Sequence, residues 1–181
     1  IVVGAGISGI GAGAHFNLKC PDQKYVILEG RESFGGTWDL FKYPGIRSDS
    51  DMHTLGYSFK PWTNEKSIAA GPAIMDYLEE TIDEYELHQH IRYNQHVNTA
   101  NWSSEDLKWH LSVKDKKTGE EIKYKSRFLY MCSGYYKYAH GYEPEFAGSE
   151  NFNGPIIHPQ KWPEDLNLSL IHISEPTRLH G

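Results

Sequence analysis

The run Ile1-Val2-Val3-Gly4-Ala5-Gly6-Ile7-Ser8-Gly9-Ile10-Gly11-Ala12-Gly13, followed by Lys24-Tyr25-Val26-Ile27-Leu28-Glu29, decides the fold of this chain. An apolar β-branched segment leads into G-x-G-x-x-G, then into a helix-compatible segment, then into a second apolar segment that ends in an acid. That order is the dinucleotide-binding fingerprint in its expected context. Each residue type has a physical task. Gly4 permits a tight strand-to-helix turn, Gly6 lets a pyrophosphate approach the backbone, and Gly9 lets the helix pack closely on the strand. A diphosphate would rest on the unpaired N–H groups at the positive end of the helix dipole. Glu29 stands 20 residues after Gly9, where a carboxylate can accept hydrogen bonds from both hydroxyls of an adenosine ribose.

With 181 residues the chain has length for one domain and a piece of another. Its net charge of -6 and pI near 5.9 argue against a nucleic-acid partner, which would need a basic face. No apolar run approaches the length of a membrane-spanning helix. Cys20 and Cys132 make no disulfide framework and no C-x-x-C, so a reducing cytoplasm is the default compartment and a disulfide reductase is disfavoured. The chain opens at Ile1, already inside a strand and without methionine. Upstream residues are therefore expected, and any leader would lie among them.

The segment from Gly9 to Lys19 reads as a helix, ended by Pro21 and Asp22, and Lys24 to Glu29 as a strand. A long glycine-containing loop follows, from Arg31 through Gly35-Gly36-Thr37-Trp38-Asp39-Leu40 to Arg47-Ser48-Asp49. Such a loop is uncommon in a domain unless it has a function, and its paired glycines would let backbone N–H groups reach a ligand. Ser48 to Asp51 offers N-caps for a short helix carrying Met52, Leu55 and Phe59, with Asp49 among them. A clearer helix spans about Pro72 to His88, with Ile74, Leu78, Ile82 and Tyr85 on one face. The acids of its other face read as solvated surface. His88, His90 and His96 straddle a helix end and a strand, so no metal site is expected. A β-rich insert follows: Lys108 to Val113 alternates, Lys117-Thr118-Gly119 signals a hairpin, and Glu121 to Lys125 returns. The run Arg127-Phe128-Leu129-Tyr130-Met131-Cys132 is nearly continuously apolar, as a buried parallel strand should be, and ends in Ser133-Gly134. The fold class is α/β: a Rossmann-like FAD domain of the two-dinucleotide-binding flavoprotein type, with an antiparallel β insert, incomplete.

The residues then resemble a known family, the type I Baeyer–Villiger monooxygenases, from Ile1 to about Leu166. The strongest element is Phe152-x-Gly154-x-x-x-His158-x-x-x-Trp162-Pro163, which fits that family's fingerprint at every defined position. The stretches from Gly35 to Leu40 and from Tyr43 to Asp51 look most like the bacterial ethionamide-activating monooxygenase group within it. The resemblance implies that Gly4, Gly6, Ser8, Gly9 and Glu29 hold the ADP half of FAD, and that Thr37, Trp38, Asp39 and Leu40 lie along the flavin. Val97 would supply a backbone contact on the adenine side, and Arg47, Ser48 and Asp49 would stand between flavin and NADP. Asp49 matches an active-site aspartate that orients a catalytic arginine from later in the chain. His158 and Trp162 match a linker that couples domain movement to catalysis without doing the chemistry.

The implied reaction is hydride transfer from NADPH to FAD, then formation of a C4a-peroxyflavin from O2. This oxygenates a small-molecule ketone to an ester, or a sulfide or thioamide at sulfur. The location implied is cytoplasmic, with peripheral membrane association left open. The expected domains are 1–145, the N-terminal part of an FAD-binding domain, and 146–166, the fingerprint linker toward an NADP-binding domain. Residues 167–181 are expected to be a non-native tail, because Leu168 to Arg178 looks like a translated sequencing adapter. No second G-x-G-x-x-G occurs, so an exposed sheet edge and weak FAD retention are expected of this chain by itself. The alternatives are a stand-alone FAD- or NAD-binding module without catalysis, an N- or S-oxygenating flavin-containing monooxygenase, and a simple NAD(P) dehydrogenase.

Overall fold

Strand β1 (Val2–Val3) stands inside a parallel sheet, flanked by β2 (Ile27–Leu28) and β7 (Tyr130–Met131), with β3 (Ile91–Arg92) beyond β2. The computed structural model describes residues 1–163, 165 and 166, so the expected tail at 167–181 lies outside the described residues. Val2 pairs with Ile27 on one side and with Tyr130 on the other, which gives the order β3-β2-β1-β7. Helix α1 (Ile7–Lys19) connects β1 to β2. Two one-turn helices, α2 (Thr37–Leu40) and α3 (Met52–Leu55), and the longer α4 (Gly71–Glu84) connect β2 to β3. The antiparallel insert is three-stranded: β4 (Gln95–Ser103), β5 (Lys108–Asp115) and β6 (Glu121–Ser126).

Three layers result. On one face of the parallel sheet α1 and α4 bury Ile10, Ala14, Ile74, Leu78 and Ile82 against Val2 and Ile27, with Met52 and Leu87 closing the cluster. On the other face Leu111 and Val113 of the insert pack against Val3 and Leu28. The alternation of β1 and β2 explains the division: Val2 and Ile27 face the helices, Val3 and Leu28 the insert.

Several expected boundaries move. The helix expected to reach His88 ends at Glu84, because Glu86 takes the left-handed conformation (φ 52°) and a 3-10 turn, Leu87–Gln89, carries Leu87 back into the core. The strand expected over 24–29 pairs only at Ile27–Leu28; Tyr25 instead stacks between Phe16 and His90, its hydroxyl donating to the Gly13 carbonyl of α1 at 3.1 Å. The N-cap of α3 is Asp51, not Asp49, with Oδ1 accepting from Thr54 N–H at 3.0 Å. Phe59 falls beyond that helix and stacks on Tyr57. The segment read as a buried strand, Arg127–Cys132, forms only the two-residue β7, at the sheet edge. There Tyr130 and Met131 are each 56% exposed and Phe128 is 76% exposed. Leu129 and Cys132 still pack against the insert and the helix side respectively, while Phe128, Tyr130 and Met131 face water. His88 pairs with Asp83 at 2.6 Å and His90 stacks on Tyr25, so these two rings have partners of their own.

Candidate functional site

The carboxyl ends of β1, β2 and β7 open into one cleft of about 1160 Å3. Ligands bind there in open α/β sheets, and the volume is a little above the usual range of about 300–1,000 Å3 for small-molecule pockets. Its walls come mainly from the first turn, the loop over 31–50, the start of β4, the segment after β7, and His158 with Pro159.

The glycine-rich turn is built by steric exclusion. Gly4 has φ 103°, and a methyl group on it would lie 2.4 Å from the Cys132 carbonyl oxygen. A methyl on Gly9 would lie 1.8 Å from the Gly4 carbonyl oxygen, so helix and strand can approach only with glycine there. Gly6 differs. A Cβ on Gly6 would make only ordinary contact, 3.7 Å from Gly36 Cα, and the residue opens into the cleft. Gly6 is also the N-cap of α1, a position with no side-chain cap and no acid in the first turn. The first N–H groups of a 13-residue helix are thereby left to the cleft, the electrostatic requirement for a bound anion.

Glu29 is 7% exposed at the end of β2. Its Oε2 accepts from Ala5 N–H at 2.7 Å and its Oε1 from Arg31 N–H at 2.9 Å. These two bonds fix the carboxylate at the foot of the turn. Each oxygen keeps a further lone pair for a ligand hydroxyl. Arg31 then reaches across to the loop: Nη2 pairs with Asp39 Oδ2 at 2.7 Å and Nη1 donates to the Gly36 carbonyl at 3.1 Å. Gly35 N–H donates to the Ala5 carbonyl at 2.9 Å, with both loop glycines at positive φ (101° and 56°). The loop is therefore hydrogen-bonded to the first turn at its start and pinned by a charge pair at its end.

Arg47, Ser48 and Asp49 border the same cleft, Arg47 and Asp49 exposed and Ser48 buried. Arg47 bridges Ala70 in antiparallel fashion and Ser48 N–H donates to the Ala69 carbonyl at 2.9 Å, which ties this wall to the residues leading into α4. From behind α1, the Tyr57 hydroxyl donates to the Ile7 carbonyl and its ring covers Gly11. Burial pushes that hydroxyl's pKa well above the ordinary tyrosine value. The Cys132 thiol, at the end of β7, is also pushed up by burial.

Of the residues singled out from sequence, Gly4, Gly6, Ser8, Glu29, Thr37, Trp38, Leu40, Arg47, Ser48, Asp49, Val97 and His158 line the cleft. Gly9 and Asp39 do not. Gly9 acts in packing, and Asp39 turns back to Arg31 and Lys42. Sequence reasoning missed Arg31 and Tyr138. The first pairs with an acid only because Gly35 and Gly36 fold the loop back, and the second reaches Thr37 from 101 residues away. No local spacing signals either.

Comparison with known proteins agrees with this geometry. The family of NAD(P)-binding Rossmann-like domains matches residues 2–65, the stretch that holds the glycine turn, Glu29 and the loop. The chain is 52% identical over 173 residues to the FAD-containing monooxygenase EthA of Mycobacterium tuberculosis, covering 96% of this chain and 35% of that protein. To the probable FAD-binding monooxygenase AlmA of Acinetobacter sp it is 48% identical over 169 residues, covering 93% and 34%. Among solved structures, an oxidized steroid monooxygenase bound to NADP superposes with a TM-score of 0.72 at 31% identity, covering 91% of this chain and 31% of that one. An open structure of cyclohexanone monooxygenase gives 0.75 at 27% identity, covering 92% and 32%. The relatives are thus FAD-containing or FAD-binding monooxygenases, the structural neighbours are steroid and cyclohexanone monooxygenases, and the chain spans about a third of the length of the curated relatives it matches.

Proposed function

We propose that this chain is the N-terminal, FAD-binding portion of an NADPH-dependent flavoprotein monooxygenase. Such an enzyme uses O2 to convert small-molecule ketones to esters or to oxygenate sulfides and thioamides. The observation that carries the reading is the junction of the uncapped α1 terminus with the Gly35–Leu40 loop, joined by Gly35 N–H to the Ala5 carbonyl, in one cleft that also takes in Arg47, Ser48 and Asp49. A simple dehydrogenase needs the first of these and has no use for the rest. Residues 1–145 form the cofactor-binding part and 146–166 the linker that leads out of it.

The residues present fit FAD. Gly6 opens into the cleft, Gly4 and Gly9 let strand and helix close behind it, and the N–H groups of Ile7 and Ser8 at the start of α1 would bind the diphosphate. Glu29, held by Ala5 and Arg31, accepts from the ribose hydroxyls, and the Val97 backbone meets the adenine side. Thr37, Trp38 and Leu40 line the flavin side, with Asp39 holding them in place through Arg31. Bound FAD would supply hydride acceptance from NADPH and the activation of oxygen. Asp49, exposed on the wall, would orient a cationic side chain. The arginine it would orient, and the NADP-binding residues, belong to the part of the relatives that this chain does not span. The setting that suits the two free cysteines, Cys20 and Cys132, is a reducing cytoplasm, with peripheral association at a membrane as the alternative. Among the described residues no helix is long and apolar enough to cross a membrane.

The test is a ligand competition on the purified chain, followed by calorimetry or flavin fluorescence. FAD should bind weakly and be displaced by ADP, while FMN, which lacks the ADP half, should not compete. Equal binding of FMN, or NAD binding in preference to FAD, would overturn the assignment.

A further inference from the structure

One side chain joins the fingerprint segment to the wall of the cleft. Gln160 Nε2 donates to the carbonyl of Lys137 at 3.0 Å and to that of Tyr138 at 2.9 Å. Both partners are acceptors, which fixes the orientation of the amide: the nitrogen faces the loop. Gln160 N–H donates to His158 Nδ1 at 3.1 Å and Lys161 N–H to the His158 carbonyl at 2.9 Å, so the 3-10 turn Pro159–Lys161 is closed upon itself. The His158 ring lies over Gly141, where a methyl group would come within 2.1 Å of Cε1. The same loop touches the 35–40 loop from its other side. The Tyr138 hydroxyl is 3.4 Å from Thr37 Oγ1 and would lie 3.2 Å from a Cβ at Gly36, and Gly36 itself packs against Gly6. Contact is therefore continuous from Gly6 through Gly36, Thr37 and Tyr138 to Gln160 and His158.

We propose that Gln160 is a positioning residue: its amide holds the 158–161 turn on the loop that carries Tyr138. Through Tyr138, that hold responds to what occupies the cleft. A primary amide is the group for this task, since its two hydrogens serve two successive carbonyls at once; a carboxylate of the same shape would face both with lone pairs. A dinucleotide diphosphate beside Gly6 restricts Gly36 and Thr37, hence Tyr138, hence the turn. This second half rests on the reading of the cleft as an FAD site, whereas the hold itself needs no ligand.

Hydrogen exchange on the whole chain, read at the amides of Gln160 and Lys161 with those of α4 as a folding control, tests both halves. In the free chain Gln160→Glu should speed exchange of those two amides by about tenfold, two hydrogen bonds being lost, and leave α4 unchanged. Equal exchange in wild type and Gln160→Glu would overturn the hold. Addition of FAD should slow the two amides in the wild type and have no such effect on Gln160→Glu or Tyr138→Phe. FAD that protects residues 5–9 and 35–40 yet leaves the turn unchanged would overturn the coupling. FAD that protects nothing would instead overturn the cofactor assignment, and the coupling with it, while the free-chain comparison still decides the hold.

Discussion

Arg31 and Asp39 meet at 2.7 Å, side chains 27% and 16% exposed, and the pair closes the Gly35–Leu40 loop onto the end of β2. The same guanidinium donates to the Gly36 carbonyl, and the backbone N–H of Arg31 holds Glu29. One residue therefore contributes both to the placement of the Glu29 carboxylate and to that of the loop. Its charge pair is partly shielded from solvent, and its planar fork makes two directed bonds that lysine could not reproduce.

Arg31→Met is accordingly expected to lower stability by about 1–2 kcal/mol and to weaken FAD binding by at least as large a factor. Asp39→Asn should do part of the same, because the Gly36 contact survives. A double-mutant cycle by denaturant unfolding measures the pair directly. Additive losses would mean that the two side chains act independently.

Gly6 and Gly9 belong to one motif yet should fail in different ways. Gly9→Ala drives a methyl into the Gly4 carbonyl and should cost about 3 kcal/mol or more, seen as loss of the cooperative unfolding transition. Gly6→Ala adds a methyl at ordinary contact distance, so the circular dichroism spectrum and unfolding midpoint should hold while FAD binding falls. A Gly6→Ala chain that binds FAD undiminished would remove Gly6 from the diphosphate site.

Asp49 and Asp51 separate similarly. Asp51 caps α3, and the Thr54 hydroxyl, donating to it at 2.9 Å, holds its carboxyl below the ordinary aspartate value. The contribution to stability is present above pH 3.8 and is lost as pH falls. Asp51→Ala should lower Tm near neutral pH, and the difference from wild type should shrink on acidification. Asp49→Ala, with no cap to lose, should leave Tm unchanged, a comparison that thermal melts across pH settle.

Tyr57 braces α1 from behind the cleft, and burial raises its hydroxyl pKa in the folded chain. A raised folded-state value means that stability is complete below about pH 10 and is lost as pH rises through it, since the unfolded chain releases the proton first. Tyr57→Phe keeps the ring on Gly11 and loses the bond to Ile7, so it should cost about 1 kcal/mol at neutral pH. It should also flatten part of the alkaline fall, read as the denaturant midpoint against pH.

The sequence by itself determined the parallel βαβ unit, the sites of Gly4, Gly6, Gly9 and Glu29, and the hairpin at Gly119. In each, the signal is carried by residues close along the chain whose backbone freedom or capping chemistry admits few alternatives. It determined less about extents. An apolar run such as Phe128–Met131 has the same composition in a covered strand and at a bare edge, and only the neighbours in space distinguish them. The tertiary structure alone decided that Arg31 pairs with Asp39, that Asp51 and not Asp49 caps α3, and that Tyr138 and Gln160 connect the fingerprint to the 35–40 loop. Those contacts depend on where glycines at positive φ bend the chain and on pairings across as many as 101 residues. Such pairings come from packing a whole chain at once, and no local pattern records them.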